Sequence, residues 1–470
     1  MSIKHSYAFS HRDQLQSVIA ENFDSTLDRL KELVAIPSIA WESFDLTQVQ
    51  RSAEKVSELA QEVGFDSVEI LTARYGEEGK EGMPAVVARK EAAPGYPTVL
   101  LYAHHDVQPV GDRSLWNTEP FEATRVGDRL FGRGAADDKA GVLAHLAAFS
   151  AVKETLGDDF KVGVTLFIEG EEEAGSPSFA DFLYTYQNKL ASDVIVVADS
   201  SNWKAGVPAL TTSLRGVASG VIKLTSGDHA VHSGMFGGPM LDANTLMVHL
   251  LASLHKPNGS VAVEGLEVAS KPEVEYEEAD FRADSGILDS VELAGEDSIT
   301  SRLWAQPAIS IIGMDITPVA EASNTINVTS TAKISVRLAP GQDPAQAHRL
   351  IEEHLKKNAP LGAQVQYRAD DSGQPFQANT EEPSVGLALA AMQESWQVEP
   401  VKSGMGGSIP FIADLKEVFP SADILITGIE DPDTRAHSAN ESLYLPDFEK
   451  AILAESLILS ELSAGATETK

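Results

Sequence analysis

The chain predicts an α/β protein in which a mixed sheet flanked by helices is interrupted by a smaller inserted domain. Three observations carry this. Amphipathic helical patterns alternate with short apolar strand patterns through the N-terminal part of the chain. Between about Ser213 and Gln374 the texture changes to strands with one wet face, in a β-α-β-β-α-β order. The first pattern then resumes with a helix over Ser384 to Trp396 and continues to the C-terminus. A length of 470 residues exceeds what one core organises, so residues 1–212 and 375–470 are expected to form one domain around an insertion, 213–374.

Taken in order, Leu15, Val18, Ile19, Phe23, Leu27, Leu30, Leu33 and Val34 recur at helical spacing from Asp13 to Ile36, and Pro37 stops the run. A second amphipathic helix is expected over Leu46 to Val63, then strands near Val68–Leu71 and Ala85–Ala88. Pro97 to Ala103 has the composition of a buried strand and delivers His104, His105 and Asp106 at its C-terminal end. Gly132 to Gly141 turns a loop into a helix that continues through Val142, Leu143, Leu146 and Phe149, and it carries Asp137 and Asp138 at the turn. The strand Val162–Ile168 ends in Glu169 to Glu173, and Val194–Ala198 ends at Asp199. Ile424–Gly428 is followed by Arg435-Ala436-His437-Ser438. Open α/β sheets bind ligands at the carboxyl ends of their strands, so five segments are expected to converge on one crevice.

In the insertion, strands are expected at Val217–Leu224, Ala308–Met314, Ala332–Leu338 and near Val365–Arg368, with helices over Asn244–Leu254 and after Asp343-Pro344. This is the split βαβ order of a ferredoxin-like domain. The acidic stretch Val268 to Ser298 has no clear period and receives no element. Residues 464–470 are small and polar and are expected to fray.

Seventy acids against 36 bases give a formal charge of −34, which argues against nucleic acid or an anionic membrane as partner. No run approaches the ~18 apolar residues of a membrane span, and no signal pattern opens the sequence, so a soluble cytoplasmic protein is expected. The absence of cysteine excludes thiolate nucleophiles and thiolate metal sites. Any metal must use His, Asp and Glu.

Singly, each polar group has an ordinary explanation: Asp137-Asp138 as a doubled helix cap, Glu171 to Glu173 as a solvated loop, His437 as a surface histidine. Jointly placed, His104, Asp106, Asp137, Glu172, Glu173, Asp199 and His437 form a cluster whose acids would repel one another unless cations sat among them. Asp137, projecting from a fixed helix start, can bridge two divalent ions, leaving His104 and Asp199 for one and Glu173 and His437 for the other. Imidazole and carboxylate without thiolate suit Zn²⁺ and tolerate Mn²⁺ or Co²⁺. Paired metals activate a shared water and polarise a carbonyl, which is hydrolytic chemistry. Glu172, beside Glu173, is the candidate general acid/base. Asp106, two residues beyond His104, has the spacing to orient its imidazole.

The segments Ala103-His104-His105-Asp106-Val107-Gln108-Pro109, Gly132 to Lys139, Glu172-Glu173-Ala174-Gly175-Ser176, Val197-Ala198-Asp199 and Ala436-His437-Ser438 resemble, in order, the five metal-site motifs of the co-catalytic zinc peptidases. That family includes carnosinase-like dipeptidases, aminoacylases, desuccinylases and glutamate carboxypeptidases. The resemblance implies a zinc-peptidase-like fold, the same five ligands, and a cis peptide bond after Asp137. Asp at position 199 goes with dipeptidase and aminopeptidase types. Leu214-Arg215-Gly216, Val231 to Gly238, Ser335 to Pro340 and Gly406 to Pro410 are similar to the carnosinase branch, where the inserted domain is a lid and dimerisation domain. By that resemblance His232 would reach the partner subunit's site to stabilise the oxyanion. Arg337 would hold the substrate's C-terminal carboxylate, with Gly407 and Ser408 lining the same pocket. A homodimeric two-metal dipeptidase is therefore expected. The alternatives are an N-acyl amino acid amidohydrolase or carboxypeptidase of the same family, and a non-catalytic metal-binding scaffold. His105 stands where the motif usually has an apolar residue, so a second imidazole beside His104 is a possible competitor for metal. His145 matches no motif and reads as structural.

Overall fold

The computed structural model describes residues 7–407 and 410–465. The expectation for the chain's last residues lies, from 466 onward, outside the described ones. Two compact units emerge: 1–212 with 378–403 and 414–470, and 213–377 with 404–413.

In the first unit, strands run in the order Ser67–Leu71, Ala85–Lys90, Gly163–Glu169, Thr98–His104, Val194–Val197, Asp423–Ile426 and Ala209–Leu214. The four from Gly163–Glu169 to Asp423–Ile426 are mutually parallel, and the outer pairings are antiparallel. The sheet is thus mixed. Its parallel centre is buried on both faces, which is why Thr98–His104 and Gly163–Glu169 read as nearly continuous apolar runs up to their polar last residues. Leu101, Ala103, Leu166 and Ile168 share a core with residues of the helices Arg12–Val34, Lys139–Leu156, Pro383–Trp396 and Leu445–Ala464. On the other face Tyr102 and Phe167 meet Phe179 and Phe182 of the short Phe179–Thr185 helix, with Phe167 and Phe182 stacked at 5.0 Å between ring centroids. Such contacts stabilise beyond the area they bury by about 0.5–1.5 kcal/mol per pair. The register pairs His104 with Glu169 and Tyr102 with Val197, so the parallel strands end level with one another.

In the second unit a four-stranded antiparallel sheet runs in the order Ala308–Asp315, Thr329–Leu338, Gly216–Thr225 and Gln364–Gly373. The helices Ala243–Ala252 and Pro344–Lys357 contribute Leu246, Leu250, Ile351 and Leu355 to a core with Ile222, Ile334 and Val336. Asp343 caps its helix as the Asp-Pro pair suggests, accepting from the N–H groups of Ala345 and Gln346. Along Thr329–Leu338 burial alternates strictly, the signature of a sheet with one covered face. The stretch without a period contains a short helix, Glu278–Ser285. None of its residues is buried, so no apolar stripe marks it in the sequence. Among the described residues no helix is long and apolar enough to cross a membrane.

Candidate metal centre

Five of the sequence-predicted residues come together in the first unit. His104 ends its strand, Asp137 precedes the Lys139–Leu156 helix, Glu173 sits in the turn after Gly163–Glu169, and Asp199 follows Val194–Val197. His437 lies in the loop beyond Asp423–Ile426. Donor atoms of His104, Asp137 and Asp199 lie within 4.8 Å of one another, as do those of Asp137, Glu173 and His437. Asp137 belongs to both groups: its Oδ1 is 3.2 Å from His104 Nε2, and its Oδ2 is 3.0 Å from His437 Nε2. His437 Nε2 is also 3.2 Å from Glu173 Oε2. His437 adopts φ of +61°, a left-handed conformation uncommon outside glycine, so its loop is held rather than relaxed.

The supports are as specific as the ligands. Asp106 is fully buried, lies 3.4 Å from His104 Nδ1, and its two oxygens accept from the N–H groups of Glu172 and Glu173 at 3.1 Å each. One carboxylate therefore fixes both the imidazole and the Glu172-Glu173 peptide. Gln108 donates to Glu173 Oε2 at 2.7 Å. The Asp137–Asp138 bond is cis. Asp138 occupies the helix N-cap position, but its side chain makes no capping bond and instead accepts from the His104 N–H at 3.2 Å. The acid expected to cap is thus turned toward the strand end, and Gly141 leaves it room, since a Cβ there would lie 2.2 Å from Asp138 Oδ1. His105 points away from the cluster: its Nε2 meets the Pro84 carbonyl at 2.9 Å. Strand alternation carries successive side chains to opposite faces, so this imidazole is no competitor for metal. His145 bridges the Tyr102 carbonyl and Glu455, a structural role.

Sequence reasoning overlooked Glu441. Its carboxylate, wholly buried, accepts from the N–H groups of Gly134, Ala136 and Asp137 and from the Arg133 guanidinium. No local pattern marks an acid that serves a turn some 300 residues away.

The electrostatics describe a site short of positive charge. Burial disfavours a charged His104, yet Asp106 and Asp137 outweigh it and hold the imidazole well above its ordinary pKa. Hydrogen bonds to Asp137 and Glu173 raise His437 to about 10. Burial, with Asp137 and Glu173 beside it, lifts Asp199 to about 6 against the pull of the two imidazoles. Burial and then Asp199 push Glu172 well above the usual carboxylate range. Protons on the histidines do what divalent cations would do better. The donor set fits such ions on a second count: Glu173 Oε1 is buried with no hydrogen-bond partner among the described residues. A buried atom of that kind is costly unless something else satisfies it.

The remaining predicted residues lie in the second unit. His232 is exposed and its Nδ1 accepts from the Gly234 N–H at 3.0 Å. Arg337 is half-buried on Thr329–Leu338, and its guanidinium has no carboxylate partner among the described residues. Arg215, whose pKa burial and then Arg337 lower to about 10, bonds only backbone carbonyls among the described residues, those of Gly406, Arg302 and Gln306. Gly407 is half-buried, and Ser408 lies outside the described residues.

Imidazoles and carboxylates gathered at the carboxyl ends of parallel strands, with a buried acid beside them, define a metal-dependent hydrolase. The chain belongs to the peptidase family M20/M25/M40, whose pattern matches residues 100–461. It is 32% identical over 415 residues to a cysteinylglycine-S-conjugate dipeptidase of Corynebacterium striatum, covering 87% of this chain and 89% of that one. It is 28% identical over 471 residues to a β-Ala-His dipeptidase of Rattus norvegicus, covering 94% of each. Among solved structures, the di-peptidase Dug1p of Saccharomyces cerevisiae superposes with a TM-score of 0.75 at 23% identity, over 98% of this chain and 100% of that one. Human carnosine dipeptidase 1 does so with 0.74 at 24% identity, over 97% and 99%. These two likenesses show the fold.

Proposed function

We propose that the chain hydrolyses the peptide bond of dipeptides with two divalent cations, Zn²⁺ foremost and Mn²⁺ or Co²⁺ as alternatives. His104, Asp137 and Asp199 would hold one, and Asp137, Glu173 and His437 the other. The observation that carries this reading is that one carboxylate, Asp137, is shared by two triads of ligand type. Bound cations would polarise the scissile carbonyl and lower the pKa of a water molecule, so that losing a proton would make it a nucleophile. Glu172 would take the proton of that water and pass it to the leaving amine. Its pKa, raised by burial and by Asp199, suits a group that must hold a proton for part of the cycle. Asp106 keeps His104 Nδ1 protonated and so leaves Nε2 free for a cation. The named dipeptidases among the relatives support a dipeptide as substrate.

Arg337, with no carboxylate partner among the described residues, would hold the substrate's C-terminal carboxylate, and Gly407 and Ser408 are proposed to serve the same group. The protein works as a cytoplasmic homodimer through the unit built around residues 213–374, and His232 of the partner subunit stabilises the developing oxyanion. Support for the dimer comes from Ala308–Asp315, an edge strand on which Ile311 and Ile312 are 50% and 55% exposed. Apolar edges of that kind invite pairing with another chain.

The test is Glu172→Ala. Metal content should be unchanged while dipeptide hydrolysis falls at least about a thousandfold. Surviving activity would overturn the assignment of the proton shuttle.

A further inference from the structure

The two triads are anchored in different ways. His104 and Asp199 stand at the ends of adjacent parallel strands. The His104 N–H is bound by Asp138, and the Ala198 N–H, next to Asp199, by the Tyr102 carbonyl. Two of that triad's three members are thus held by the sheet itself. His437 has no such support, being on an exposed loop with a left-handed backbone. What ties this loop to Asp137 is a pair of buried side chains. Glu441 gathers the N–H groups of Gly134, Ala136 and Asp137 at 3.0, 3.0 and 3.1 Å. Its own backbone carbonyl accepts from the Gly132 N–H at 3.0 Å. Arg133 completes the join, reaching Glu441 Oε2 at 2.6 Å and the Ser438 carbonyl, next to His437, at 3.2 Å. Both side chains are essentially inaccessible, at 1% and 0% exposure, and among the described residues neither makes a hydrogen bond to His104 or Asp199.

We propose that Arg133 and Glu441 are positioning residues that set one cation site far more than the other, because only one of the two triads includes His437. They clamp the His437 loop to the Asp137 turn and thereby hold the Asp137–Glu173–His437 triad at binding distance. In the other triad His104 and Asp199 keep their geometry from the strands and from Asp138, and only the shared Asp137 is tied to Glu441. The inference rests on the two-cation reading above and adds an asymmetry to it. An isosteric change at Glu441 would put an amide NH₂ against at least one of the three backbone N–H groups and remove the charge facing Arg133. Supporting groups behind a metal ligand typically control about 10–100-fold in affinity.

The experiment uses the full chain stripped of metal and titrated with Zn²⁺ in chelator buffers, following stoichiometry and the two dissociation constants. His437→Ala identifies which binding step belongs to its triad. Glu441→Gln is expected to loosen that step at least about tenfold and leave the other within about threefold. Adding Glu441→Gln to His437→Ala should change nothing further. Arg133→Lys, which keeps the charge but not the fork to Ser438, should show the same selectivity and serves if Glu441→Gln fails to fold. Equal loosening of both steps, or of neither, would overturn the clamp. A wild-type chain that binds a single ion would instead overturn the two-cation reading itself.

Discussion

Replacing Asp106 by Asn tests how much of the site one buried carboxylate organises. The two oxygens of Asp106 serve three groups: the Glu172 and Glu173 N–H at 3.1 Å each, and the His104 ring at 3.4 Å. An asparagine of the same shape turns one oxygen into a donor. Facing Oδ1, the new NH₂ opposes both the Glu172 N–H and the imidazole, whereas facing Oδ2 it opposes only the Glu173 N–H. The second orientation is the cheaper, and it still leaves the part-buried Glu173 N–H unsatisfied, at about 1–3 kcal/mol. If that loss falls on ligand and base geometry, at ~1.4 kcal/mol per tenfold it is worth about 5- to 150-fold. We expect kcat/KM on a dipeptide to fall about 10- to 100-fold and Zn²⁺ to bind its His104 step more weakly by a similar factor. Initial rates at saturating metal and a chelator-buffered titration measure the two, with far-ultraviolet circular dichroism confirming the fold. A variant within about twofold of the parent in both would refute the role assigned to Asp106.

Turnover of unblocked dipeptides should far exceed that of N-acetyl amino acids across a panel, and exclusive cleavage of the acylated set would move the chain to the amidohydrolase alternative. His105 makes a pH prediction. Burial lowers it to about 4, whereas in the unfolded chain it titrates near 6.5. Between those values the unfolded state binds more protons, so this imidazole's share of stability is intact above about 6.5 and falls by roughly 3 kcal/mol as pH drops to about 4. Urea unfolding at both ends of that window should show the difference shrinking in His105→Phe, and an unchanged pH slope would count against it. Ile312→Lys at the sheet edge should shift the molecule toward monomer in sedimentation, while an unaltered mass would place any dimer elsewhere.

The parallel centre of the fold was legible because Thr98–His104 and Gly163–Glu169 are largely apolar up to their last residues, and each hands over polar residues from its C-terminal end. The same logic located His104, Asp137, Glu173, Asp199 and His437 as residues to be brought together, since strand ends converge whatever the intervening loops do. What escaped was contact that no local period encodes. Glu441 acts through backbone N–H groups of a distant turn, and Asp138 serves a strand end when its position promised a cap. The strand Ala209–Leu214 also escaped, because its Thr211 and Thr212 interrupt the apolar run. Their hydroxyls are satisfied inside by Ser200, Ser403 and the Ser403 carbonyl. The helix Glu278–Ser285 has no buried face to announce it.

The central claim is that Asp137 is shared by two cations, and anomalous diffraction from crystals grown with Zn²⁺ addresses it directly. Two peaks about 3.5–4 Å apart are expected. Asp137 Oδ1 and Asp199 should face one with His104, and Asp137 Oδ2 and Glu173 the other with His437. A single peak, or two peaks with Asp137 bound to only one, would contradict the account.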